Sequence, residues 1–318
     1  MRSILLCVCA LLVGCSSARD PWKGTPTGQK KVVAFFPPIY CFTANVAKDQ
    51  AKVICLLTGT GPHDYEPTPA DARKLAAADL IFANGLDLDE ELSKRLIKMA
   101  RGKDDVLETI ADALPHKLML HNEEHDHEAG VEHKHQHGDH DSHAWLGMKQ
   151  AQAMVGILAK KLAERDPGQK GKYEKNAEDY IAKLKELEAF GEEQFKDKKN
   201  RAIITQHESL RYFAKSFKLE IVQSISPQPG IEANAAQLAK LIDVCKKKNV
   251  SVIAVEPQYA RRQAEALKRA LKAGGVDATI VEVDPMETAT PGADGNPSPD
   301  FYIDQMKRNI ENLAKAMQ

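Results

Sequence analysis

Histidine is the residue whose placement in this chain suggests chemistry. Of 11 histidines, nine fall between His116 and His143, and the other two are His63 and His207. Neutral imidazole is a borderline metal ligand that suits zinc, copper, iron and nickel, whereas Mg²⁺ and Ca²⁺ prefer all-oxygen shells and manganese usually takes more carboxylate. Four positions stand out as possible ligands. His63 follows an apolar run ending at Leu57, His207 follows one ending at Thr205, Asp284 follows one ending at Val283, and His143 lies just beyond the histidine-rich stretch. Three imidazoles and a carboxylate make a tetrahedral zinc set. Taken singly the positions carry less. A lone histidine is more often a structural residue than a ligand, and Asp-Pro at 284–285 is a common turn. His63 is better supported, because Gly59-Thr-Gly-Pro-His-Asp-Tyr-Glu-Pro67 forms a loop.

The elements that must position these residues follow a βαβ rhythm. Strands are expected at 31–36, 52–57 and 79–83, with helices near 39–49, 70–78 and 88–100. After two long helical patterns at 147–165 and 168–197, the alternation resumes with strands at 201–205, 219–224, 250–255 and 278–283. Helices are expected at 209–217, 234–248 and 261–273, and a last one carries Ile303, Met306, Ile310, Leu313 and Met317 at helical spacing. Such alternation implies parallel sheets covered by helices, with a ligand bound beyond the carboxyl ends of the strands. The 168–197 helix would run roughly 45 Å, enough to bridge two domains.

Residues 116–142 interrupt the rhythm. The stretch from His121 to His140 has almost no apolar side chains and cannot bury enough surface to offset the entropy of ordering it, so disorder is expected. Its imidazoles at His121, His125, His127, His133, His135, His137 and His140 form an auxiliary metal-attracting group, serving either to capture metal for the cleft or only as a solvated tail.

The N-terminus reads as a targeting segment. Arg2 precedes an apolar run from Ile4 to Val13, and a run of that length is too short for a bilayer of roughly 30 Å. Leu12-Val13-Gly14-Cys15 has the form of a bacterial lipobox, which makes residues 1–15 a lipoprotein signal and residues 16–30 a flexible tether. The expectation is an exported protein, periplasmic or at the cell surface, held to a membrane through lipidated Cys15. Of six cysteines, Cys41, Cys55 and Cys245 remain in the folded part. Cys41 and Cys55 are near enough in sequence either to pair or to remain free thiols. The formal charge of −1 on 318 residues gives no general attraction to nucleic acid.

Several motifs carry a family resemblance over nearly the whole mature chain. Gly61-Pro-His-Asp-Tyr-Glu-Pro-Thr-Pro-Ala-Asp71, Ala83-Asn-Gly-Leu86, Asp141-Ser-His-Ala-Trp145, Thr205-Gln-His-Glu-Ser-Leu-Arg-Tyr-Phe213 and Val283-Asp-Pro285 resemble the ligand motifs of the solute-binding proteins of zinc and manganese ABC transporters. Ser142 departs from the proline usual in the second motif. The resemblance implies two similar α/β lobes, each a parallel sheet flanked by helices, joined by a long rigid helix, with metal in the cleft. The boundaries would be 31–167 for the first lobe, with the loop 116–142, then 168–197 for the linking helix and 198–318 for the second lobe. The implied ligands are His63, His143, His207 and Asp284, with Glu256 in Val255-Glu-Pro-Gln-Tyr259 beside the site, orienting a ligand imidazole. The histidine at 207 and the histidine-rich loop imply Zn²⁺ ahead of Mn²⁺. A monomer that delivers its ion to a membrane permease is the implied function, and not an enzyme.

Two other classes compete with that reading. A zinc hydrolase would need an open coordination position and a base, for which Glu208 is the best candidate, and the chain has no His-Glu-x-x-His or Gly-x-Ser-x-Gly. A surface adhesin with structural metal should unfold when the metal is removed. For release to a permease, the loop of Asp284 and the following Thr290–Pro297 stretch is expected to be mobile.

Overall fold

A computed structural model describes residues 20–63, 65–101, 105–121, 139–226 and 233–317. The signal and lipobox readings, the His125, His127, His133, His135 and His137 positions, and most of the histidine-rich loop lie outside these residues. The first half contains β1 (Lys30–Ala34), α1 (Pro37–Ala47), β2 (Ala51–Cys55), α2 (Pro69–Ala76), β3 (Leu80–Ala83), α3 (Glu90–Arg101) and β4 (Leu107–Thr109). Its sheet is parallel throughout, in the order β2-β1-β3-β4. Two long helices follow, α4 (Met148–Arg165) and α5 (Lys170–Phe195). The second half contains β5 (Ala202–Thr205), α6 (Arg211–Phe217), β6 (Glu220–Ser224), α7 (Ala235–Lys248), β7 (Val252–Val255), α8 (Arg262–Ala273), β8 (Thr279–Glu282) and α9 (Phe301–Ala316). Its sheet, also parallel, runs β6-β5-β7-β8. The fold is therefore the expected pair of α/β lobes, each with a four-stranded sheet. The sequence reading missed β4, which has three half-exposed residues at a sheet edge and too few side chains to show a period.

Chemistry along the chain accounts for these elements. The central strands β3, β5 and β7 are buried at every position and read as continuous apolar runs, as expected for parallel strands covered on both faces. Pro37 and Pro38 open α1, where a missing N–H costs nothing. Asn234 caps α7 by accepting the Gln237 N–H at 2.9 Å, and Gln237 accepts the Asn234 N–H at 2.8 Å.

Helix α5 lies between the halves. Its buried face is Tyr173, Ala177, Tyr180, Leu184, Leu187, Gly191 and Phe195. Asn176 Nδ2 donates to the Val46 carbonyl of α1 at 3.0 Å, and the Phe195 and Phe217 rings meet at 5.5 Å toward the second half. A Cβ at Gly191 would stand 2.2 Å from the Phe217 ring, so α5 and α6 pack this closely only because position 191 is glycine. One continuous apolar core joins the first sheet, α4, α5, α9 and the inner face of the second sheet. A smaller core lies between that sheet's other face and α7 and α8.

Three details differ from expectation. Both ends of the 116–142 segment are ordered: His116–Leu118 forms a 3-10 turn and His121 bridges antiparallel to His140. Cys41 and Cys55 are free buried thiols rather than a disulfide; the Cys41 Sγ donates to the Ser298 carbonyl at 3.5 Å and the Cys55 Sγ to the Leu57 carbonyl at 3.0 Å. Finally, the segment from 283 to 300 is tied down. It leaves β8 of the second half and crosses to the first, where Ala289 N donates to the Thr58 carbonyl, Cys55 N to Asn296 Oδ1 and Asn45 Nδ2 to the Pro299 carbonyl, all at 2.8–2.9 Å. Among the described residues no helix is long and apolar enough to cross a membrane.

Candidate metal centre

Four side chains meet where the carboxyl ends of both sheets face one another. His63, His143, His207 and Glu287 each offer one ligand atom, and these atoms all lie within 4.8 Å of one another. A tetrahedral zinc with bonds of about 2.0–2.1 Å would hold its donors roughly 3.3 Å apart, so a small contraction closes the set. Glu287 Oε1 is 3.5 Å from His63 Nε2 and 3.7 Å from His143 Nε2. His143 Nε2, His207 Nε2 and Glu287 Oε1 are all buried without a hydrogen-bond partner. Unpartnered buried polar atoms are costly, and several converging on one point mark a site built for an ion. The His63 ring is 24% exposed, against 9% for His143, 4% for His207 and 3% for Glu287, which makes His63 the member of the group that faces solvent.

Each imidazole is positioned from behind. His63 sits in the loop after β2, and the far end of that loop is fixed by Asp71, whose buried carboxylate accepts from Tyr65 OH and from Thr68 N at 3.1 Å. The backbone N–H and ring Nδ1 of His143 both lie 2.9 Å from Asp141 Oδ1. That pairing turns Nε2 into the site as the free lone pair. Asp141 is itself held near Arg211, whose Nη1 is 3.9 Å away, and its carbonyl accepts from Tyr212 OH at 3.0 Å. Asn84, at the end of β3, donates to the Ser142 carbonyl at 2.9 Å, so Ser142 contributes its backbone where the family motif usually has proline. His207 follows β5, and its Nδ1 lies 2.5 Å from Glu256 Oε1 at the end of β7. Glu256 is fixed by Ser209 Oγ at 3.1 Å and Gln258 Nε2 at 2.9 Å.

Among the described residues the carboxylate that joins the three imidazoles is Glu287, and the expected Asp284 is not in the group. Asp284 Oδ1 accepts the Met286 N–H at 2.7 Å, while Asn309 of α9 accepts from the Asp284 N–H at 3.0 Å and donates to its carbonyl at 2.7 Å. Asp284 is thus committed to an Asx turn, which allows Met286 its positive φ of 65° and swings Glu287 toward the imidazoles. Trp145 Nε1 donates to the Pro285 carbonyl at 2.8 Å, tying this turn to the His143 loop. Sequence reasoning stopped at the Asp-Pro pair; the available signal was a second carboxylate three residues on. Asp141 was legible as well, since an acid two residues before a histidine is well placed to reach that ring. Glu208, the candidate base for a hydrolase, is exposed and outside the group.

Protonation preferences follow from this arrangement. Burial pushes the Glu287 carboxyl up, yet the close approach of His63 and the charges of the three imidazoles carry it below its ordinary 4.5. Burial pulls His207 down, and the Glu256 carboxylate outweighs it, so the ring holds its proton above the ordinary 6.5. Asp284 is pushed up to about 6, first by burial and then by Glu282, Glu256 and Glu287 nearby.

Comparison with known proteins agrees with the fold. The zinc-binding lipoprotein AdcA of Streptococcus pneumoniae is 30% identical over 98% of this chain, and the chain spans 59% of its length. The high-affinity zinc uptake system protein ZnuA of Bacillus subtilis is 31% identical over 98% of this chain and 96% of its own. Among solved structures, the SBP FpvC from Pseudomonas aeruginosa in complex with Mn²⁺ superposes with a TM-score of 0.76 at 23% identity, covering 91% of this chain and 99% of that one. Residues 32–316 match the model of the family described as zinc-uptake complex component A, periplasmic, and the chain belongs to that family of ABC-transporter solute-binding proteins, which are not enzymes.

Proposed function

We propose that this chain captures Zn²⁺ through His63, His143, His207 and Glu287 and delivers it to the membrane permease of an ABC importer. The observation that carries the reading is the convergence of three imidazoles and one carboxylate within 4.8 Å, with unpartnered buried atoms among them. Three nitrogen donors and a single carboxylate suit zinc better than manganese, which favours more oxygen. All four ligands come from one chain, so a monomer is sufficient for binding. The lipobox at Cys15 supports an exported protein anchored to a bacterial membrane, within reach of its permease.

Competitive titration of the intact protein with zinc and manganese against a chromophoric chelator tests the proposal. The expected result is a tight zinc site that manganese displaces poorly and that His207→Ala abolishes. Tighter manganese than zinc binding would overturn the metal assignment. Unfolding of the chain on removal of zinc would favour a structural metal over a transported one.

A further inference from the structure

A short length of chain separates Cys15 from the fold. Trp22 is 6% exposed and belongs to the main apolar core, and its ring N–H donates to the Lys74 carbonyl near the end of α2 at 3.1 Å. Its backbone N–H donates to Asp20 Oδ1 at 3.0 Å, and further on Gln29 Nε2 donates to the Asp49 carbonyl at 2.8 Å. The chain is thus held from Trp22 onward. Trp22 comes seven residues after Cys15, and that length of chain spans at most about 25 Å when fully extended. A lipid on Cys15 therefore keeps the carboxyl end of α2 close to the membrane surface.

The surface beside that point is helical and basic. With the strand order β2-β1-β3-β4, right-handed crossovers put α2 and α3 on the sheet face opposite α1. Helices α2 and α3 pack against each other, whereas α1 packs against α4 and α5. Arg101, the last residue of α3, donates from Nη1 to the Ala76 and Ala78 carbonyls at 3.1 and 2.8 Å, so α3 ends beside the seat of Trp22. Arg95, Lys98 and Met99 share one exposed face of α3 within about 10 Å of that end. Met99 is 62% exposed, and among the described residues it is the one large apolar side chain left open in this way. Arg73 on α2 and Lys23 next to Trp22 are exposed as well. The exposed acids on this flank are Asp20, Asp79 and Glu91, and Asp79 Oδ2 is occupied by the Lys31 N–H at 2.8 Å. Basic side chains around an exposed apolar one form the pattern of a helix that lies on a lipid surface.

We propose that the α2–α3 flank is a docking surface for anionic phospholipid headgroups, held against the membrane by the short tether that Trp22 clamps. The proposal rests on the lipid at Cys15 put forward above. Arg73, Arg95 and Lys98 meet the headgroups, and Met99 enters the layer between them. Each basic side chain near an anionic surface favours contact about fivefold, which is weak by itself. A tether this short supplies the rest, because it turns contact by the flank into an intramolecular event. Helix α5, on the opposite side of the first sheet, then faces away from the membrane, and the cleft is presented to a permease in one orientation instead of tumbling at the end of a free linker.

The test uses the full lipidated chain on vesicles of phosphatidylcholine and phosphatidylglycerol whose headgroups carry a spin-label quencher. A bimane fluorophore is placed on Met99→Cys or, for comparison, on Glu186→Cys at the exposed face of α5. Cys41, Cys55 and Cys245 are buried and do not compete for the label. The label at 99 should be quenched and the label at 186 should not. Arg95→Gln with Lys98→Gln should lower the ratio of contacting to free chain about 25-fold while leaving zinc affinity unchanged. Inserting about a dozen Gly and Ser residues after Arg19 should also reduce quenching at 99, because the tether then no longer holds the flank down. Equal quenching at the two positions, no quenching at 99, or quenching at 99 that survives both changes overturns the proposal. Failure of the chain to float with the vesicles is a separate result: it removes the lipid anchor at Cys15, and this proposal falls with it.

Discussion

Gly61 lies against Glu287 so closely that a Cβ at position 61 would stand 2.8 Å from the Glu287 Oε2 and 3.2 Å from its Cβ. The loop of His63 and the turn of Glu287 come from opposite ends of the chain, and this contact sets their approach. Gly61→Ala should therefore displace the carboxylate by a few tenths of an ångström while leaving the imidazoles in place. Zinc affinity is expected to fall about 10-fold or more, in the range typical of disturbed ligand positioning. A chelator-competition titration that finds wild-type affinity in Gly61→Ala would show that the carboxylate does not need this seat.

In the proposed centre Glu256 would act on the metal through His207. With its carboxylate 2.5 Å from Nδ1, it fixes the ring orientation and strengthens Nε2 as a donor. Glu256→Gln preserves shape and removes the charge. The expected loss is about 10–100-fold in zinc affinity, with an apo melting temperature changed only by the loss of the His207–Glu256 pairing. Equal losses in affinity and apo stability would instead indicate a packing role.

Asp284 and Glu287, three residues apart, have different partners: Asp284 holds the Met286 N–H, and Glu287 joins the imidazoles. Asp284→Asn keeps an oxygen able to accept the Met286 N–H, so zinc affinity should stay within about threefold of wild type. Because burial raises the Asp284 carboxyl to about 6, the folded state binds its proton more tightly than the unfolded chain does. That costs stability as pH rises from the ordinary 3.8 through about 6, and the cost persists at neutral pH. Asp284→Asn should thus raise the apo melting temperature at pH 7. Glu287→Gln should lower zinc affinity at least about 100-fold, as expected for a direct ligand. The reverse ranking of the two variants would restore Asp284 as the fourth ligand.

That pair also shows what could be read from the sequence. The strands β1, β3, β5 and β7 are short apolar runs between turn residues, and the helices α4, α5 and α9 have clear periodicity, so the two lobes and their connection were visible as pattern. His63, His143 and His207 sit in loops next to strand ends, and the fold brings all three together. The choice between Asp284 and Glu287 depended on a turn conformation that side-chain type does not encode. Both residues are acidic and both follow β8; only the Asn309 bridge from a distant helix and the positive φ at Met286 decide which one faces the imidazoles. The strap from 283 to 300 departs from its sequence expectation for a related reason. Its Pro, Gly, Asp and Asn composition suggests mobility, but its anchors are backbone groups such as Thr58 O and Cys55 N, which carry no sequence signature.

Acid should act in opposite ways on the empty and the loaded protein. Without metal, the raised His207 contributes stability that is fully present below its ordinary 6.5 and is lost as pH rises through its higher folded value. The lowered Glu287 contributes stability that is present above its ordinary 4.5 and is lost as pH falls through its lower folded value. Both contributions are present together between about 4.5 and 6.5, so the apo protein should gain its best support from the centre in that window. Zinc requires neutral imidazoles, and loading must expel the proton that Glu256 helps His207 retain. The melting-temperature increase produced by saturating zinc should therefore shrink steadily as pH drops from 8 to about 5.5, and zinc binding should release protons. Calorimetry in buffers of different ionisation enthalpy reads that release directly. In Glu256→Gln the raised proton affinity of His207 disappears, so fewer protons should be released near neutral pH, even though the metal binds less tightly. A zinc-induced stabilisation that is independent of pH would show that no histidine in the cleft exchanges a proton for the ion.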